Sequence, residues 1–345
     1  MNGTPTISVT MAARNAEELL PRTLRSIQEQ TFADFELIVV DDGSTDATGE
    51  VVAAFAREDP RITLVTLPEN LGRSRARNVA IDTARGEWIC PTDADDLWAS
   101  TRLASMLAAA EQFPGAVAVT DHLIGFTADA GGEVAVGARQ TFRGAVGVGT
   151  PFVVDRRRWF ADRECHMTPI VRRSHIDAHS IRYVEEASAG EDLNFYVRIA
   201  FAEPTTVVAH TGEISYYYRQ GESTRAANMA ESRAKLMQLA VESTQSVELE
   251  ELVGRENPGW IAIYQRADRI WADAGRAADR DEGLDGVSLS GNRLAGLRTL
   301  LRNRIVSMVA HQLDRQERAR VLADLQRQLQ SPIAEPMPGA ESSTA

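Results

Sequence analysis

The sequence predicts an α/β fold, a mostly parallel β-sheet flanked by helices and followed by a C-terminal helical region. Three observations carry this. Short apolar runs alternate with amphipathic, helix-length segments from residue 7 to about residue 125. The segments joining them are short, as crossover connections between parallel strands require. The apolar runs also end in acids. Asp41, Asp42, Asp93, Asp95 and Asp121 fall at their carboxyl ends, the edge where open α/β sheets hold ligands.

Each element has its own signal. Ile7 to Ala12 is a buried-type strand, and Leu20, Leu24 and Ile27 after it recur at helical spacing. Phe35 to Val40 is β-branched and too short for a helix. It stops at "DDGSTD", a glycine turn with a run of helix-capping residues, and "GEVVAAFAR" continues as a helix. Ile62 to Leu67 is the third strand. "NLGRSRARNVAIDTA" supplies a loop and a helix with Ala76, Val79, Ala80 and Thr83 on one face. "EWICP" is the fourth strand, "RLASMLAAA" the next helix and "AVAVTD" the next strand. After about residue 125 a Gly-rich stretch reads as loops or a hairpin. "HMTPIVRR" reads as a strand, "GEDLNFYVRIAF" as a helix, and "TTVVAH" and "ISYYYR" as two late strands. Residues 1–225 are thus expected to form one α/β domain and 226–333 a helical region. There Leu294, Leu297, Leu301, Ile305, Met308 and Val309 make an apolar stripe. Residues 334–345 read as a disordered tail.

Composition narrows the function classes. The 345 residues are 43% hydrophobic, enough for an ordinary core, and carry a formal net charge of −12, which argues against a nucleic-acid-coating surface. The two cysteines, Cys90 and Cys165, form no disulfide framework and no CxxC pattern. No basic leader followed by an apolar core opens the chain, and no apolar run reaches the ~18 residues of a membrane span. A cytoplasmic protein is expected, with peripheral contact at the inner membrane face through an amphipathic helix as an option.

The segment "CPTDADDLW" concentrates the chemistry. Carboxylates two apart on an extended segment point the same way, so Asp93 and Asp95 can share a ligand. An all-oxygen site of this kind suits Mg²⁺ or Mn²⁺, which takes one or two carboxylates and completes its shell with water and substrate phosphates. Taken alone, the segment also reads as a solvated acidic turn with Asp96 capping the next helix. "VVDDGSTD" lacks the glycine patterns of dinucleotide and P-loop sites, and a strand-end Asp there can accept from a base or ribose.

Two blocks, "ISVTMAARNAEELLPRTLRSIQEQTFADFELIVVDDGSTDAT" and "NLGRSRARNVAIDTARGEWICPTDADD", resemble the N-terminal half of the family 2 inverting glycosyltransferases of GT-A fold. The resemblance covers residues 5–125 and resumes more weakly over 165–224, where it looks most like bacterial transferases of exopolysaccharide and surface-glycan synthesis. It implies transfer of a sugar, of hexosyl type, from a nucleotide-diphosphate sugar, with UDP the expected nucleotide. The acceptor would be a hydroxyl of a glycan, a lipid-linked glycan or a small molecule. Ala12 and Arg14 would line the nucleotide pocket, Asp42 would bind the base and Asp93 would sit near the ribose. Asp95 would hold the Mn²⁺ or Mg²⁺, and Arg73 or Arg77 would reach the pocket or its phosphates. "AGEDLNFYVR" matches the motif whose second carboxylate is the general base, here Asp192. Glu191 would shape the acceptor site, and Arg219 would contact phosphate or pair with an acid. Two departures are visible. Arg14 stands where many relatives carry an aromatic residue, and Gln220 falls in a segment where relatives often carry a His, so no His ligand is expected from it. A non-catalytic nucleotide-sugar binder and a nucleotidyltransferase are the alternatives. A homodimer is the expected assembly.

Overall fold

The computed structural model describes residues 3–128, 134–140, 149–161, 168–187, 190–220, 229–255 and 315–330. Its spine is a single sheet. The strands are β1 Ile7–Ala13, β2 Phe35–Asp41, β3 Ile62–Thr66, β4 Trp88–Asp93, β5 Leu97–Trp98, β6 Ala116–Ala128, β7 Val134–Gln140, β8 Phe152–Val153, β9 Ile170–Arg172 and β10 Val207–Arg219. They run in the order β3-β2-β1-β4-β9-β6-β10-β5, with β7 on β6 and β8 on β10. The pairs β1–β2, β2–β3, β1–β4 and β6–β10 are parallel. The three-residue β9 is antiparallel to both β4 and β6, and so joins two parallel blocks that, among the described residues, do not pair with each other directly.

Helices α1 Leu20–Gln28, α2 Thr48–Glu58, α3 Arg73–Thr83, α4 Arg102–Gln112, α5 Arg156–Ala161, α6 Arg173–Ala178, α7 Glu191–Phe201, α8 Met229–Thr244, α9 over 247–255 and α10 Arg315–Gln330 cover the sheet. Strand alternation divides the core. Val9, Met11, Leu37 and Val39 face α1, α2 and α4, packing on Leu24, Ile27, Val52 and Met106. Ile38, Val40 and Ile89 face the other way, toward Ala76, Ala80, Ile81, Ile199 and Met237. A third cluster sets Val321 and Leu325 of α10 against Leu97, Ile124, Phe126 and Tyr217. Helices α8, α9 and α10, which the sequence groups into a region after residue 225, thus contribute buried side chains to the clusters on the sheet.

Several expectations need correcting. "TTVVAH" and "ISYYYR" form one strand, β10, because the break is a bulge: its register on β6 shifts around His210 to Tyr216 while pairing continues on both sides. Gly212 in the bulge has φ +74°, and a Cβ there would meet the Thr150 carbonyl oxygen at 2.4 Å. Strand β6 runs on to residue 128, which puts Asp121 in mid-strand rather than at a strand end. Asp121 is buried, with Oδ2 2.8 Å from Arg102 Nε and 2.6 Å from the Ser215 hydroxyl. Asp96 does not cap α4, whose N-cap is Thr101. Thr83 is exposed and donates to the Val79 carbonyl, while Ala76 and Ala80 are buried as expected and Ser74, Arg77, Asn78 and Ile81 are buried with them. The glycine-rich stretch does contain a hairpin, β6–β7. Trp98 and Trp159 are core residues. The apolar stripe at 294–309, the tail, Cys165 and His166 lie outside the described residues.

Candidate active site

The register of the parallel strands sets the site. Ala12 pairs with Val40 and Asp93, and Ala13 with Asp41, so the carboxyl ends of β1, β2 and β4 finish at one level. A cleft of about 550 Å³ opens there, with Ala12, Arg14, Arg73, Arg77, Asp93 and Asp95 among its lining residues. Glu17, Glu18, Asp46 and Tyr218 line it as well. Six of the sequence-predicted site residues therefore share one cavity.

Asp42 is not among the residues lining the cleft. It is buried, and its two oxygens accept the backbone N–H groups of Leu71 (2.7 Å) and Gly72 (3.0 Å). This fixes the loop that enters α3. Gly43, at φ +61°, permits that approach, since a Cβ there would lie 2.4 Å from the Glu69 carbonyl carbon. The start of α3 is therefore pinned to the end of β2, and Arg73 and Arg77, one turn apart, face the cleft.

Arg77 is the hub. Its Nη2 donates to Asp93 Oδ1 at 2.6 Å, and its Nη1 donates to Asp192 Oδ1 at 2.6 Å and to Glu191 Oε1 at 3.1 Å. Arg73 adds a longer contact to Glu191, 3.4 Å. Glu191 and Asp192 occupy the first turn of α7, where the helix dipole favours negative charge. The guanidinium of Arg77 also lies 5.1 Å from the Tyr183 ring centroid, and that ring stacks on Phe195 of α7. One buried arginine thus joins the end of β4 to the start of α7. Arg77→Ala leaves the fully buried Glu191 with only Arg73, and its expected cost is about 3 kcal/mol, the low end for a broken buried pair because Asp93 and Asp192 are part-exposed. Arg77→Lys is expected to recover less than half, since a point charge cannot span both carboxylate groups. Urea unfolding of the three proteins measures this, and a loss under 1 kcal/mol in the alanine variant would show that solvent screens the cluster.

The acids are not at their ordinary affinities for protons. Burial, and then the charge of Asp93, push the Asp95 carboxyl up to about 6. Burial, Glu191 and Asp93 together hold Asp192 up at about 7 despite Arg77. Asp96 is raised in the same direction by burial and by Asp95 and Asp93. Its oxygens accept the Tyr216 hydroxyl (2.5 Å) and the Arg219 backbone N–H (2.8 Å). Arg219 Nε donates to the Asp95 backbone carbonyl at 3.0 Å, and its Nη2 is buried without a hydrogen-bond partner among the described residues.

Among the described residues no three His, Cys, Asp or Glu side chains converge as a complete metal cage. The donor set fits a hard cation that takes part of its shell from elsewhere. Asp95 carries destabilised negative charge at the cleft wall, next to Asp93. Sequence reasoning left the linking role of Arg77 open and missed Tyr216, Tyr218 and Asp46. Strand alternation in "SYYYR" was the available signal for the tyrosines, since it places Tyr216 and Tyr218 on one face and Tyr217 on the other.

Comparison with known proteins agrees with this architecture. Residues 8–133 match the model of Glycosyl transferase family 2. The succinoglycan biosynthesis protein ExoO of Rhizobium meliloti is 28% identical over 227 residues, 65% of this chain and 64% of that protein. The putative teichuronic acid biosynthesis glycosyltransferase TuaG of Bacillus subtilis is 36% identical over 106 residues, 31% of this chain and 42% of that one. The matches thus span less than two thirds of either relative. Among solved structures, residues 1–349 of S. aureus TarS in complex with UDP-GlcNAc superpose with a TM-score of 0.58 at 22% identity, covering 73% of this chain and 72% of that one. No described helix is long and apolar enough to cross a membrane. Strand order, the acids at the strand ends and the superposition converge on a GT-A fold, and residues 8–133 of that fold are similar to the Glycosyl transferase family 2 model.

Proposed function

We propose that the protein is a metal-dependent inverting glycosyltransferase that moves a sugar from a nucleoside-diphosphate sugar, UDP-linked in the first instance, to a hydroxyl of a growing surface or exported polysaccharide. The observation that carries the reading is the Arg77 bridge. It joins Asp93, in the cleft wall beside Asp95, to Asp192 at the start of α7, which is not itself among the lining residues, so the acids are divided between two elements held by one guanidinium. An inverting displacement needs that division: charge control at the leaving diphosphate, and a base on the opposite face of the anomeric carbon. The curated relatives' roles in succinoglycan and teichuronic acid synthesis favour a polysaccharide acceptor.

In this reading Ala12 and Arg14 border the nucleoside. Asp42 acts from below, by fixing the loop before α3, rather than by meeting the base itself. Asp93 and Asp95 would hold Mn²⁺ or Mg²⁺, which supplies positive charge to the diphosphate as the sugar leaves. Arg73 faces the same cleft and can meet a phosphate oxygen, while Arg219, whose Nη2 is buried without a hydrogen-bond partner among the described residues, stands behind the acidic turn. Asp192 takes the acceptor hydroxyl proton as its oxygen attacks C1. Arg77 fixes that carboxylate, and Glu191 fixes Arg77 from the buried side.

Calorimetric titration with UDP, GDP and dTDP, each with and without Mn²⁺, tests the donor half. The expected result is one nucleotide binding in the micromolar range only when Mn²⁺ is present. Absence of binding by all three, with and without Mn²⁺, would overturn the reading.

A further inference from the structure

Asp96, the third acid of "DADD", does not line the cleft and is fully buried. A buried carboxylate is costly unless its hydrogen bonds are met, and here both oxygens are engaged from one strand. The Tyr216 hydroxyl donates to Oδ2 at 2.5 Å, and the Arg219 N–H donates to Oδ1 at 2.8 Å. Both donors belong to β10, and Arg219 then reaches back with Nε to the Asp95 carbonyl, 3.0 Å. The turn that carries Asp95 is therefore held at its side-chain and main-chain groups by a strand more than a hundred residues away in sequence.

Tyr216 is itself fixed in place. Its ring meets Trp98 at a centroid distance of 6.4 Å, and the Arg102 guanidinium lies 4.9 Å from it on another side. It pairs with Trp98 in the β5–β10 ladder, immediately after the acidic turn. Neighbouring ties hold β5 from outside. Gln328 of α10 donates to the Trp98 carbonyl at 2.9 Å, and the Tyr217 hydroxyl donates to Asp324 at 2.6 Å.

We infer that Tyr216 is a positioning residue for the acidic turn, acting through Asp96 to hold Asp95 where it can receive the cation. This rests on the metal reading of Asp95 given above. Outer partners that orient a metal's ligands commonly change affinity by about 10–100-fold when removed. A single phenolic oxygen is the feature at issue, so Tyr216→Phe keeps the ring packing and deletes that donor together with the hydroxyl's longer 3.5 Å contact to Thr92 Oγ1.

The test is hydrogen exchange of the amides of residues 93–97 in the metal-free protein, paired with Mn²⁺ titration followed by the resonance of free Mn²⁺. Tyr216→Phe is expected to speed exchange at 93–97 at least about 10-fold while β1 and β2 keep wild-type rates, and to weaken Mn²⁺ binding by about 10-fold. Asp95→Asn serves as the contrast, with Mn²⁺ binding lost and exchange at 93–97 no faster than wild type. Arg219→Lys, which removes the contact to the Asp95 carbonyl but keeps a charge, gives a second route to the same loosening should the phenylalanine variant not fold. Wild-type exchange and Mn²⁺ affinity in Tyr216→Phe would overturn the inference, as would faster exchange across the whole sheet, which would mark a general stability role. Failure of the wild type itself to bind Mn²⁺ would overturn the metal reading and this inference together, and differs visibly from a defect confined to the tyrosine variant.

Discussion

Asp192→Asn is expected to lower kcat by about 10²–10⁴-fold while leaving the donor dissociation constant within about threefold of wild type. The amide keeps an oxygen for the 2.6 Å contact from Arg77, and Glu191 and Asp93 keep theirs, so the cleft retains its shape. What would be lost is the site proposed to accept the hydroxyl proton. The same carboxyl predicts the pH profile. Burial and two neighbouring acids hold it at about 7, and only its ionised form can act as a base. The rate kcat/KM should therefore fall about tenfold per pH unit below 7 and level off above it. Stability runs the other way. A carboxyl whose affinity for protons is raised by folding adds stability that is complete below its unfolded value near 3.8, and this is lost as pH rises through about 7. Transfer assays from pH 5.5 to 8.5 on both proteins give the answer. An Asp192→Asn enzyme with wild-type kcat would remove this residue from the chemistry.

Asp95→Asn is expected to abolish Mn²⁺-supported nucleotide binding, by at least about 100-fold, while stabilising the metal-free protein. The second effect follows from the sign of its shift. Burial and Asp93 raise its carboxyl to about 6, so the folded protein holds that charge at full cost above pH 6 and sheds the cost progressively down to the unfolded value near 3.8. A shift of about two units corresponds to about 3 kcal/mol at most at pH 8. Thermal melts in chelator should show the variant ahead of wild type at pH 8, by about half as much at pH 5, and level with it only below the unfolded value near 3.8. With Mn²⁺ and nucleotide the order should reverse, because only wild type gains the binding energy. Equal melting at pH 8 would mean that Asp95 is solvated in the free protein.

The alternation of strands and helices up to α4 was legible because each element buries one face and its period writes that face into the sequence. The motif-bearing strand ends were legible for the same reason, and six predicted residues share the cleft. What could not be read locally was distance. "TTVVAH" and "ISYYYR" look like two strands because a bulge interrupts the pattern, yet β6 supplies hydrogen bonds on both sides of it. Asp121 looked like its neighbours at strand ends, and only the continuation of β6 turns it into a buried partner of Arg102. Arg77 sits in a helix with other arginines, and nothing near it in sequence marks it as the one that meets acids 114 and 115 residues away. Asp42 sits at the predicted edge, but each of its oxygens accepts an amide N–H of a later loop.

The three-residue strand β9 has a bearing on how the chain is made. It alone fills the gap between β4 and β6, and it leaves the ribosome long after β4. At ~5–20 residues per second the roughly 80 residues between them take about 4–16 s to synthesise. Through that interval the nascent β3-β2-β1-β4 block presents the unpaired edge of β4, with Trp88, Ile89 and Cys90, to whatever else is in the cell. Recombinant yield should then depend on the speed of translation between residues 94 and 172, and on chaperones that shield strand edges, more than on the stability of the finished molecule.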